Sequence, residues 1–252
     1  MDLTTETTAR GVTERDFVVD GPREPVPGVL WTPSGDASAW PRPLVLLGHG
    51  GSQDKRAPNV VGLARWLVRH HGIAAAAIDL PLHGDRTPPE ELGMTRRERQ
   101  RALRERHLAD GGHVAAAHCA VDDWTATLDA LQAHRDVGTG PVGYWGVSMG
   151  TRFGVPLIAA EPRITAAVLG LFGWAPGPYM PGFDELARQV TVPLLFVIQW
   201  DDELVRREWA LRLYDLFGST TKLLHGNPGG HLTMPRAEYR ASEAFLAHFL
   251  MK

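Results

Sequence analysis

Three short stretches carry residue types that could do chemistry together: Gly146-Val147-Ser148-Met149-Gly150, Asp201-Asp202-Glu203 and Gly229-Gly230-His231. A serine alcohol is a weak nucleophile at neutral pH and needs a base to take its proton as it attacks. A histidine base in turn needs a carboxylate to fix its tautomer and stabilise the imidazolium. Among eleven histidines, His231 is the expected base, because it follows the last apolar run in a glycine-rich loop and completes the order serine, acid, histidine. His225 is the rival, but it sits at a strand terminus, where a side chain packs or caps. Asp201, Asp202 and Glu203 all follow one buried-looking run, and adjacent residues point in different directions, so only one can face the histidine.

The elements around Ser148 decide whether it is more than a turn residue. Val142 to Trp145 reads as a buried strand running straight into the pentapeptide, and a helix follows at once. Such a turn strains the serine backbone, tolerable where Gly146 and Gly150 carry no side chains to clash. The helix start beneath it contributes free N–H groups and positive potential. The Met149 N–H is therefore one expected oxyanion donor, and the Gly51 N–H, in "LGHGGSQDK" after an earlier strand, is the second. His49 in that turn reads as a structural hydrogen-bonding residue. Removing one such donor typically costs on the order of 10² to 10³ in kcat.

Stepping along the chain, short β-rich runs alternate with helical patterns, which predicts a mainly parallel sheet flanked by helices. "RDFVVDG" and "PVPGVLWTP" read as an antiparallel pair. "RPLVLLGHGG", "IAAAAIDLP", "PVGYWG", "ITAAVLGLFG", "VPLLFVIQW" and "TTKLLHG" bring the expected strands to eight. Helices are expected at "NVVGLARWLVRHHG", capped by Gly72, and at "HVAAAHCAVDDWTATLDALQAHRDVG", "TRFGVPLIAAEP", "RREWALRLYDLFG" and "PRAEYRASEAFLAHFL". Residues 85–112 are too long for a simple connection and rich in arginine. They read as a solvated, salt-bridged helix or a small lid, with Leu92, Met94, Leu103 and Leu108 facing inward. No domain-scale linker interrupts residues 1–252, so one domain is expected.

Composition narrows the partners. Of 252 residues, 44% are hydrophobic and 22% charged, and the formal charge of −3 gives no reason to expect nucleic acid. No apolar run approaches the roughly 20 residues that span a bilayer, so no membrane partner is expected. The polar, acidic start lacks the features of a signal peptide. The single cysteine, Cys119, excludes an internal disulfide and fits a reducing, cytoplasmic location. His113, His118 and Cys119 lie close together, but a ligand-poor cluster on a helix reads as core and not as a metal site.

"HGG", "DLPLHG", "GVSMG", "WDDELV" and "GGH", after the third, fourth, fifth, seventh and eighth expected strands, resemble the α/β-hydrolase superfamily, and within it the serine esterases and dienelactone-hydrolase-like members. The resemblance runs from about Arg15 to the C-terminal helix. It implies an α/β-hydrolase fold, with an eight-stranded, mostly parallel sheet, helices on both faces and a small helical insertion. The family's acid sits in a Gly-x-x-Asp-x-x-Val pattern. Here Gln199 replaces the glycine, Asp202 stands at the acid and Val205 at the valine, which selects Asp202 over Asp201. Arg206 stands where a proline is common. Serine in place of the cysteine of true dienelactone hydrolases favours a carboxylic ester.

The resemblance thus implies a Ser148–His231–Asp202 triad, an acyl-enzyme and a small-molecule ester or lactone substrate, with no metal or organic cofactor. A thioesterase, an amidase or peptidase, an acyltransferase, or a non-catalytic binding protein are the competing readings. Phe172, Trp174 and Tyr179, in "LFGWAPGPYMPGF", are expected to line the substrate pocket. Arg86 and Arg152 near its mouth could bind a substrate carboxylate. A histidine base predicts activity falling below about pH 6 to 7, and chelators are expected to have no effect.

Overall fold

The computed structural model describes residues 1–35, 41–109, 113–177 and 180–252. Its sheet has nine strands: β1 (Asp2–Ala9), β2 (Val12–Asp20), β3 (Pro25–Pro33), β4 (Leu44–Gly48), β5 (Ala74–Ile78), β6 (Val142–Val147), β7 (Ile164–Gly170), β8 (Leu194–Gln199) and β9 (Lys222–Asn227). The spatial order is β1-β2-β3-β5-β4-β6-β7-β8-β9. The first three strands and the β3–β5 pair are antiparallel, and every pair from β5–β4 through β8–β9 is parallel.

The ninth strand is the one absent from the eight expected. "DLTTETTA" has no apolar alternation because all eight residues are exposed at the sheet edge. It is held by a two-residue hairpin in which Arg10 and Gly11 both have positive φ (51° and 79°), the geometry whose twist matches the flanking strands. By contrast β4, β5, β6 and β8 are buried throughout, which is why they read as continuous apolar runs.

Helices cover both faces. α1 (Pro58–His71) and α7 (Arg236–Leu250) pack on one side, and α3 (His113–Gln132), α4 (Met149–Ala160), α5 (Phe183–Gln189) and α6 (Arg207–Leu216) on the other. α1 opens with proline at its first position and closes on Gly72 in the left-handed conformation (φ 65°). α5 was not expected, because a seven-residue helix between two proline-rich turns leaves too little periodic pattern to detect. Among the described residues no helix is long and apolar enough to cross a membrane.

Residues 84–109 form two short 3₁₀ turns followed by α2 (Arg96–Ala109). Thr95 and Glu98 bond reciprocally at its start, a capping box. Leu103 is buried and Met94 half-buried, but Leu92 is 67% exposed, so the expected inward face is only partly apolar. The side chain of Leu108 lies outside the described residues, as do residues 110–112. Of the three residues expected in the core, His118 is exposed and Cys119 half-buried, and the side chain of His113 lies outside the described residues.

Arg86 is not a substrate arginine. Its guanidinium is spent on Asp123 (2.7 Å), Glu24 (2.6 Å) and the Asp79 carbonyl (3.0 Å), which pins the start of the insertion to α3 and the β2–β3 hairpin.

Candidate active site

The chain reverses direction across the sheet at β4: β5 lies on one side of it and β6 on the other. Loops leaving the carboxyl ends of neighbouring strands diverge at such a point and open a crevice. The "HGG" turn leaves β4 and the serine turn leaves β6, with Gly48 directly opposite Gly146.

Ser148 has φ 58° and ψ −118°, a strained conformation for a residue with a side chain. Close packing enforces it. A Cβ on Gly146 would stand 2.7 Å from the Tyr144 hydroxyl, and one on Gly150 would stand 2.5 Å from the Gly48 carbonyl. The buried Tyr144 hydroxyl donates to the Gly150 carbonyl (2.7 Å), and the Ser148 N–H donates to the Gly170 carbonyl (2.8 Å). The Thr151 hydroxyl accepts the Gly170 N–H (2.7 Å), tying the helix start to β7.

The three chemical stretches meet here. His231 Nε2 lies 2.9 Å from Ser148 Oγ, and His231 Nδ1 lies 2.8 Å from Asp202 Oδ2. The other Asp202 oxygen accepts the N–H groups of Leu204 (2.8 Å) and Val205 (2.9 Å), which fixes the carboxylate. His231 is 7% exposed, so the relay is shielded from bulk water. His225, the rival base, is engaged elsewhere: its Nδ1 meets Glu238 at 2.8 Å.

The two acids beside Asp202 brace the histidine loop. Asp201 Oδ2 accepts the Gly229 N–H (3.0 Å) and Glu203 Oε2 accepts the His231 N–H (3.0 Å). The bond from the His231 N–H holds the Glu203 carboxyl below the usual glutamate range. Gln199, the departure from the family glycine, is buried and points its amide at the carbonyls of Pro228 (3.4 Å) and Gly230 (3.3 Å). Backbone groups from 228 to 231 are thus held by three side chains at the end of β8. The sequence hints at this only as a run of polar residues after a buried strand.

On the opposite side of Ser148, the Gly50 N–H donates to Gln53 Oε1 (2.9 Å). The Gly50 carbonyl accepts from the Gln53 N–H (3.2 Å) and from His49 Nδ1 (2.9 Å). A trans peptide directs its N–H opposite to its carbonyl, so the Gly51 N–H is turned away from this turn. Gly51 lines the same cavity as Ser148, with nothing within 4 Å of where its Cβ would be. Among the described residues no intramolecular acceptor takes the N–H of Gly51 or of Met149. His49 Nε2 accepts the Leu80 N–H (3.1 Å), so the ring is the neutral Nδ1–H tautomer. Burial pushes its pKa below the ordinary histidine value.

The cavity at Ser148 has a volume of about 310 Å³. Val147, Leu171, Leu204, Leu232, Met234 and Tyr239 supply its apolar wall. Phe172 and Trp174, the expected pocket residues, do not line it. Phe172 packs edge-on against Phe183, and Trp174 is only 9% exposed, its backbone held by the Trp209 carbonyl. Tyr179 lies outside the described residues. Arg152 lines a separate groove along α4, between α3 and α5. The actual wall comes from the end of β6, the loops leaving β7, β8 and β9, and the first turns of α7, and its residues share no local pattern that sequence reading could gather.

No family model matches the chain, and no curated protein does. Solved structures do. A cold-adapted esterase from an Arctic intertidal metagenomic library, in complex with polyethylene glycol, shares 36% identity over 99% of this chain and 100% of its own, with a TM-score of 0.83. An acetyl xylan esterase from a Paenibacillus species (18% identity, 99% of this chain, 88% of that one, TM-score 0.75) has the same fold. So has a dienelactone hydrolase from Anabaena variabilis (20%, 96% and 98%, TM-score 0.66). The identity to the Arctic enzyme extends over nearly the whole chain, and this chain belongs with it among the esterases of the α/β-hydrolase superfamily.

Proposed function

We propose that the protein hydrolyses small to medium carboxylic esters through an acyl-enzyme on Ser148. The observation that carries this reading is the continuous relay from Asp202 through His231 to a strained serine at the floor of an apolar cavity. Ser148 Oγ attacks the acyl carbon while its proton passes to His231 Nε2, and Asp202 stabilises the imidazolium. The carbonyl oxygen becomes an oxyanion that accepts the N–H groups of Met149 and Gly51. Collapse breaks the bond to the leaving alkoxide, which takes the proton back from His231. Water then repeats the sequence on the acyl-enzyme and releases the carboxylic acid.

We read residues 85–112 as a helical insertion of a single α/β-hydrolase domain, and none of its described residues lines the cavity at Ser148. With a single cysteine and no call for an oxidising compartment, we assign the chain to the cytoplasm.

The test is hydrolysis of p-nitrophenyl acetate, butyrate and octanoate by the wild type beside Ser148→Ala. A cavity of about 310 Å³ at Ser148 predicts turnover of the acetate and butyrate, and all three esters should fall to background in the serine variant. Full activity in Ser148→Ala, or turnover of thioesters or amides but of no oxygen ester, overturns the reading.

A further inference from the structure

A second groove adjoins the cavity at Ser148. Pro58, Asn59 and Tyr239 also border a groove of about 540 Å³ between α1 and α7. From Pro58 to Trp66 this groove follows nine residues of helix, a rise of about 12 Å over eight steps of 1.5 Å. Its α1 wall is apolar, formed by Gly62, Leu63 and Trp66, and its α7 wall carries Arg236 and Arg240.

The electrostatics of the groove are one-sided. Arg236 and Arg240 are four residues apart and so share a helix face, and both are exposed. Among the described residues neither guanidinium has a carboxylate partner; Arg240 lies over the Trp66 ring at 5.2 Å. The one acid lining the groove, Glu243, is buried and bonded to His71. Both helices also present their N-termini at the catalytic end. The cap positions are Ala57 and Pro235, neither of which makes a side-chain cap bond, and the first turn of α1 holds no acid. Glu238, in the first turn of α7, is turned inward to His225 and Asn227. Two uncapped helix starts and two unpaired arginines therefore face the same corridor.

We infer that the α1–α7 groove is a substrate subsite for an anionic tail, so that the preferred ester carries a carboxylate several carbons from the scissile bond. This rests on the esterase reading of Ser148. The apolar wall at Leu63 and Trp66 receives the methylene chain, and Arg236 and Arg240 receive the carboxylate.

Matched substrates test it. p-Nitrophenyl hexanoate against mono-p-nitrophenyl adipate places the charge on the acyl side. Hexyl acetate against ω-acetoxyhexanoate, followed by pH-stat, places it on the alcohol side. The expected result is a kcat/KM preference of roughly 5- to 10-fold for the anionic member of at least one pair, the size two solvent-accessible charge pairs can supply. That ratio should fall toward one in Arg236→Gln/Arg240→Gln and shrink as salt is raised to about 0.5 M. Neutral esters hydrolysed by the wild type with no preference in either pair, or a preference that survives the double variant, overturns the subsite and leaves the esterase reading standing. If the wild type turns over none of the four esters, the esterase reading itself fails.

Discussion

The two sides of Ser148 are held in place by different physics. On the histidine side, the exposed Asp201 and Glu203, with the buried Gln199 amide beneath them, grip the backbone of residues 228–231. On the oxyanion side, the loop after β4 is pinned by buried charge. Asp79, with no exposed side-chain surface, takes Lys55 Nζ at 2.6 Å, the Lys55 N–H at 2.9 Å and the Asp85 N–H at 2.8 Å. Burial works against the Lys55 charge, but bonds to Asp79 and Asp85 outweigh it and raise its pKa. A Cβ on Gly84 would collide with the Asp79 carboxylate, so the loop must approach that closely. The donors that meet an oxyanion must be rigid to be effective. The base exchanges protons with successive partners, and surface braces suit it. Damage on the oxyanion side should therefore unfold the protein, and damage to the braces on the histidine side should slow it.

The largest expected effect is at the relay where the two sides meet. Ser148→Ala should abolish ester turnover, and Asp202→Asn should lower kcat by about 10⁴ through loss of the imidazole's orientation. Both variants should keep the wild-type melting temperature. A thermal scan beside the p-nitrophenyl assay checks this, and unfolding of either variant would break the division of labour.

Next comes the oxyanion side. Lys55→Met leaves the Asp79 charge buried without its ammonium partner, and should cost about 3–5 kcal/mol in urea unfolding. A loss below about 1 kcal/mol would show that the backbone N–H bonds to Asp79 suffice by themselves.

The same region should also give the fold its acid sensitivity. His83, 3% exposed and 5.2 Å from His49, has its pKa lowered to about 4 by burial and then by the neighbouring His49. A histidine with a folded pKa below its unfolded value binds its proton more readily when unfolded, so acid favours unfolding between pH 6.5 and 4. The gap of about 2.5 pH units corresponds to about 3 kcal/mol once both values are passed. His83→Asn, which can still donate to the Pro81 carbonyl, should flatten the pH dependence of urea unfolding across this window.

The smallest effect is expected at the braces. Glu203→Ala should reduce kcat by about tenfold, the equivalent of one charge-assisted hydrogen bond, while Glu203→Gln retains an acceptor and most of the activity. The Glu203 carboxyl is depressed below the ordinary value of 4.5. Its brace is therefore complete above that value and lost as pH falls through the lower one. An unchanged kcat in Glu203→Ala, or a large drop in melting temperature, would erase the contrast between the two sides.

The outcome at particular elements separates what was legible from what was not. The buried parallel strands were readable because covering both faces leaves an unbroken apolar run, as in "LVLLG" and "LLFVIQ". Strand β1 was not, since an edge strand exposed on both faces carries threonine and glutamate with no alternation. The nucleophile turn was readable because its strain needs glycines at fixed offsets. The pocket wall was misread: Phe172 and Trp174 are aromatic and near the mouth in sequence, yet they turn into the core beside Phe183 and α6.

By itself, then, the sequence determined the strand alternation, the strained serine turn and the order of nucleophile, acid and base. Those follow from local periodicity and from backbone geometry that few residue types tolerate. Only the tertiary structure decided which residues enclose the ester, and that Gln199 and Glu203 hold the base. It also brought the arginines of α7 to the groove that shares Pro58, Asn59 and Tyr239 with the Ser148 cavity. Side chains from strands and helices distant in sequence converge at one sheet edge through the crossover order β5-β4-β6, and no local pattern encodes which of them will point inward.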